Sequence, residues 1–117
     1  MSNSAKRAWR FYIVDMIEFV EKVLEYTEGM DRNAFIESGL VYDATVRNIE
    51  LIGEAATHIP IEVRKENEQI PWRQMIATRN ILIHAYLGID NDILWSIIST
   101  DIPDLLTLLN VMKDSYS

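Results

Sequence analysis

The chain has 117 residues, 49% of them hydrophobic and 25% charged, enough for one domain around one core and ordinary for a globular protein rather than a disordered one. With 18 acidic residues against 11 basic and a net charge of −7, it lacks the basic surface that general nucleic-acid affinity requires, although a local cleft on an acidic body can still be positive. There is no cysteine, which excludes disulfides and thiolate chemistry and suits a reducing compartment.

In chain order, the pattern is helical throughout. Asp15, Glu18, Glu21 and Lys22 interrupt the first apolar stretch, so it does not read as a signal peptide, and nothing approaches ~18 consecutive apolar residues. A soluble, cytoplasmic protein without membrane contact is expected. Over residues 8–28 the stripe Trp9, Ile13, Met16, Ile17, Val20, Leu24 and Thr27 predicts a long helix ended by Gly29. Asp31 is placed to cap a short helix running through Ile36. A second long helix is expected over residues 40–58, with Thr45, Ile49, Ile52 and Ala56 on its inner stripe and Pro60 stopping it. Residues 61–67 suggest another short helix before Pro71. Residues 72–86 read as the third main helix, closed by Gly88. Asp90 or Asn91 then caps the last, striped by Leu94, Ile98, Ile102, Leu105, Leu109 and Met112, with a kink or break expected at Pro103. No segment alternates as a strand does. The expectation is an all-α single domain over residues 1–117, a bundle of four or five helices.

The third main helix ends in Arg79-Asn80-Ile81-Leu82-Ile83-His84-Ala85-Tyr86, a pattern R-x-x-x-x-H-x-Y. A guanidinium can hold a phosphate through paired hydrogen bonds, and an imidazole can move protons near neutrality. Near a helix C-terminus the macrodipole favours imidazolium. Yet at about 100° per residue Arg79 and His84 lie roughly 140° apart on an unbroken helix, whereas Asn80 and His84 share a face, as do Arg79 and Tyr86. A joint site therefore needs Arg79 to wrap around, a loosened helix end, or a second copy of the chain. By spacing alone the plainer reading also stands: a helix-end histidine bonded to carbonyls, and a surface arginine in an ion pair.

The segment running from Ile70-Pro71-Trp72-Arg73-Gln74-Met75-Ile76-Ala77-Thr78 through that octet to Leu87-Gly88-Ile89-Asp90 resembles the HepT-like family, as does Val46-Arg47-Asn48-Ile49-Glu50-Leu51-Ile52-Gly53-Glu54-Ala55-Ala56. Members of that family are helical HEPN-domain toxins paired with a minimal nucleotidyltransferase antitoxin. The resemblance implies an HEPN-like fold and a metal-independent endoribonuclease needing no cofactor, with Arg79, Asn80 and His84 as the catalytic residues. It further implies RNA as substrate and a cognate minimal nucleotidyltransferase that silences the toxin by adding AMP to Tyr86. Ala85 stands where the family commonly has an acidic residue, and Thr78 where it has methionine. A homodimer, with two copies of the 72–86 helix facing across a shared cleft, would bring two arginines and two histidines together. The alternative reading is a non-catalytic helical partner of a nucleotidyltransferase, binding its substrate or regulating it, which suits the acidic surface.

Other residues read more plainly. His58, before Ile59-Pro60, is expected to be structural. Two histidines 26 positions apart with no cysteine make no metal site. Glu54 beside Gly53 is placed to tie down a cation such as Arg47 or Arg79. Gly53 costs a helix about 1 kcal/mol against alanine, which points to close packing of another helix there. Trp9, Trp72 and Trp95 are expected as core or dimer anchors, and Arg64-Lys65 as a solvated face.

Overall fold

The computed structural model describes residues 2–85 and 88–116, the first few of these, up to residue 7, by backbone alone. All elements among the described residues are helical: α1 (Ser2–Thr27), α2 (Arg32–Glu37), α3 (Gly39–Thr57), α4 (Ile61–Glu66), α5 (Trp72–Ile83), α6 (Asn91–Ser96), a π-helical turn (Ile97–Asp101) and α7 (Ile102–Ser115). α1 packs on α3 and on α7, and α3 packs on α5, so α3 is the helix that links the body of the bundle to α5. No helix of the described residues is long and apolar enough to cross a membrane.

The helix boundaries follow local chemistry. Gly29, at φ 76°, adopts the left-handed conformation that ends α1. Asp31 caps α2 by accepting from the Ala34 amide at 2.8 Å, and Asp90 caps α6 by accepting from the Asp92 and Ile93 amides at 3.0 and 3.1 Å. The expected break at Pro103 takes the form of the π-helical turn just before α7, in which the Ile102 amide reaches back five residues to the Ile97 carbonyl. Widening the turn there accommodates a proline that has no amide and crowds the carbonyl four residues before it. The stripe Leu94, Ile98, Ile102, Leu105, Leu109 and Met112 is buried along its whole length, across the π turn.

The core takes Trp9, Ile13, Met16, Ile17 and Val20 from α1, with Thr27 also buried and Leu24 at its edge. From α3 it takes Thr45, Ile49, Ile52 and Ala56. Trp72 is buried and its indole donates to the Asn67 carbonyl at 3.0 Å. Trp9 meets Tyr116 edge-on at 4.8 Å, and Trp95 packs against Phe35 at 5.5 Å. All three tryptophans thus serve the interior. Tyr42 donates to Asn91 at 2.5 Å and ties α3 to the start of α6. Burial, with the neighbouring Asp43 adding to it, pushes that phenol above the ordinary tyrosine range and keeps it a donor.

Two expectations need correction. Arg64 is half-buried rather than on a solvated face: its guanidinium donates to the Ile59 and Thr57 carbonyls at 2.9 and 3.2 Å, satisfying the open C-terminal end of α3 with a cation. And α5 stops at Ile83, not at residue 86. Its last buried side chain is Leu82, and Ile83 and His84 beyond it are exposed. A helix turn that buries no apolar face gains too little from packing to persist. The chain leaves through turns in which the Ala85 amide bonds to the Leu82 carbonyl and the Gly88 amide to the Ala85 carbonyl.

Gly53 sets the α3–α5 contact. A Cβ built there would lie 2.3 Å from the Arg79 Cβ and 2.6 Å from the Met75 carbonyl oxygen, distances that real side chains do not allow. Gly53→Ala should therefore destabilise the protein by roughly 1–3 kcal/mol, the usual cost of overpacking, despite alanine's better helix propensity. Urea unfolding measures this; a stabilised variant would contradict the close approach.

Candidate functional site

Arg79 lies on the last turns of α5 with its Cβ and Cγ pressed over Gly53 of α3. The residue next to that glycine, Glu54, accepts from Arg79 Nη2, and Nη1 donates to Asn80 Oδ1 at 2.8 Å. The Arg79 side chain is only 27% exposed, against 45% for Glu54. Its Nε is buried with no hydrogen-bond partner among the described residues, a cost of laying the stem flat on α3. So the guanidinium is held on two sides and still has N–H groups over for a ligand.

Glu54 is held in turn. Its Oε1 lies 3.5 Å from Nε2 of His58, one turn on along α3. The His58 ring stacks on Tyr12 of α1, with centroids 4.4 Å apart and planes 8° from parallel. A chain of contacts therefore runs from α1 through Tyr12, His58, Glu54 and Arg79 to Asn80. The placement of Glu54 beside a cation follows from its sequence position, and Arg79 rather than Arg47 is that cation; Arg47 pairs with Glu50 at 3.3 Å instead. The part played by His58 and Tyr12 was hidden. The i, i+4 spacing of Glu54 and His58 carried a signal for one contact, but nothing local links Tyr12 to either.

His84 is the first residue past α5, with φ −99° and ψ 14°, and it is exposed. The residues up to Ile83 are helical, so His84 still leaves the helix on a face well removed from that of Arg79, and no hydrogen bond or ion pair among the described residues joins the two. Asn80 is exposed and bonded to Arg79. Tyr86, expected to share Arg79's face, lies outside the described residues.

The surroundings are open. A cavity of about 230 Å³ lies between α3, α5 and the π turn with α7, and its walls include Ile52, Met75, Thr78, Ile102 and Leu105. Arg79, Asn80 and His84 are not part of that wall. Asn80 and His84 are exposed, while Arg79 lies partly buried against α3. Ile81 and Ile83, beside His84, are 68% and 46% exposed.

The fold and this motif define the class: an all-helical, HEPN-like domain with an arginine, a following polar residue and a histidine at the end of one helix. The chain belongs to the HepT-like family, described as ribonuclease HepT-like, whose profile matches residues 16–112. It is 38% identical over 101 residues to a protein of Methanocaldococcus jannaschii provisionally named an RNase, covering 86% of this chain and 93% of that one. It is 37% identical over 100 residues to a Thermococcus cleftensis protein provisionally named ribonuclease HepT, covering 86% and 91%. A provisionally named RNase of Caldanaerobacter subterraneus is 32% identical over 96 residues, covering 82% and 86%. No solved structure matches.

Proposed function

We propose that this protein is a metal-independent endoribonuclease, the toxin of a toxin–antitoxin pair, with Arg79, Asn80 and His84 as its catalytic residues. The observation that carries the reading is Arg79, held by Glu54 and Asn80 with N–H groups to spare, close in sequence to an exposed histidine at a helix end. Membership of the HepT-like family and the RNase names of its relatives supply the substrate class.

In the proposed reaction, neutral His84 takes the proton of a ribose 2′-OH as that oxygen attacks the adjacent phosphorus. The bond from phosphorus to the 5′ oxygen breaks, leaving a 2′,3′-cyclic phosphate on one fragment. The departing 5′ oxygen takes a proton from an imidazolium, either His84 itself or the partner subunit's His84. Arg79 stabilises the charge that builds on the phosphate oxygens at the transition state. Asn80 keeps the guanidinium oriented. No step calls for a metal ion or another cofactor.

The proposed assembly is a homodimer in the cytoplasm, with no membrane association, in which the ends of α5 from two copies share a cleft. Support comes from exposed Ile81 and Ile83 just before His84, apolar side chains that a second copy would cover. The chain's 1–117 span is read as one HEPN-like domain. His84→Ala should lower RNA cleavage by about 10²–10⁴, the scale for losing a general acid or base. Because His84 is exposed, the variant should remain folded. Undiminished cleavage of RNA by this variant, measured in the presence of a chelator, would remove the catalytic assignment.

Control is proposed to come from a cognate minimal nucleotidyltransferase. The Tyr86 phenol oxygen would attack the α-phosphorus of ATP, AMP would be retained on the tyrosine, and pyrophosphate would leave. The added anion and nucleoside would then compete with RNA near Arg79 and His84. Ala85 removes the acidic neighbour common in the family, so recognition of Tyr86 here must rest on other residues. Tyr86→Phe should stay active yet escape silencing by the enzyme and ATP. Intact-mass analysis showing AMP on another residue, or equal silencing of the variant, would overturn this assignment.

A further inference from the structure

We propose that Glu54 and His58 are positioning residues for Arg79: Glu54 fixes the guanidinium in the orientation that meets the phosphate, and His58, clamped on Tyr12, fixes Glu54. This rests on the ribonuclease reading above. An arginine side chain has many rotamers, and ordering one costs entropy. Here that cost is met before any ligand arrives. The stem lies on Gly53, one Nη donates to Glu54 and the other to Asn80.

Glu54 uses its two oxygens for two different partners, Oε2 for Arg79 and Oε1 for His58 at 3.5 Å. A carboxylate at the surface with a single partner would keep torsional freedom and pass it to the arginine. The second contact, between side chains about half exposed, narrows that freedom. His58 can supply it because its ring is packed flat on Tyr12 at 4.4 Å, and because it stands at the end of α3, where its own amide still bonds to the Ala55 carbonyl. The route thus begins on α1, the helix that α3 packs against, and ends at α5. A carboxylate beside Arg79 also weakens its pull on any bound phosphate. Orientation and affinity should therefore respond in opposite senses when the charge is removed.

The test is steady-state RNA cleavage by Glu54→Gln, which keeps shape and removes charge, alone and combined with Arg79→Ala. With the charge-assisted bond to Arg79 weakened and the guanidinium held less tightly, kcat should fall about ten- to a hundredfold, while KM stays level or falls. In the Arg79→Ala background the same substitution should change kcat less than twofold. His58→Phe, which keeps the stack on Tyr12 but has no N–H, should lower kcat in the same sense, and His58→Gln should restore part of it. An unchanged kcat in Glu54→Gln, or an equal loss with and without Arg79, overturns the proposal. Nitrogen-15 NMR of the Arg79 guanidinium decides it without reference to activity: rotation should be restrained in the wild type and measurably faster in Glu54→Gln. Restraint that depends on Glu54 in a protein that does not cut RNA would sink the ribonuclease reading and leave the positioning intact; free rotation in the wild type would sink the positioning.

Discussion

The absence of a side chain at Gly53 lets α3 and α5 approach until the backbone of one touches the side-chain stem of the other. From that approach the rest of the site follows. The Arg79 stem lies against α3 at Gly53, and its guanidinium meets Glu54 of the same helix. Glu54 in turn sits one turn before His58, so the contact reaches Tyr12 on α1. The glycine is unfavourable for α3 considered alone and is explained only by what it permits between helices.

The same contact resolves a tension between composition and chemistry. A chain with net charge −7 would repel RNA as a whole, and an arginine standing free on such a surface would pair with whichever carboxylate was nearest. Here the carboxylate is specified and its geometry fixed. Arg79 is left as a directed donor with a known partner, not a diffuse positive patch. Affinity for RNA then has to come from local geometry, and in the proposed dimer from two such ends, more than from long-range attraction.

The bundle was legible in the sequence because its signals are local and repeat. The stripe from Leu94 to Met112 and the caps at Asp31 and Asp90 each announce themselves within one or two turns. Gly53 was legible as a close contact because an interior glycine is costly in a helix. The end of α5 was not legible. His84 and Ala85 are plausible helix formers by propensity, and the loss of a packing surface beyond Leu82 ends the helix before them. Arg64 was misjudged for a related reason: charged neighbours on both sides suggest solvent, while the open carbonyls that it caps lie back at the end of α3. His58 and Tyr12 meet across separate helices, and no spacing within either one encodes that stack.

What unites these observations is a claim about one bond: that an arginine fixed by its neighbours and a free histidine beyond the helix end act together on a phosphodiester by way of the adjoining 2′-OH. End-group analysis of a short RNA after digestion tests it most directly. The account predicts fragments ending in 2′,3′-cyclic phosphate opposite fragments beginning with 5′-OH, and no cut where the scissile nucleotide is replaced by its 2′-deoxy form. Fragments with 5′-phosphate ends, or cleavage at the 2′-deoxy position, would contradict it.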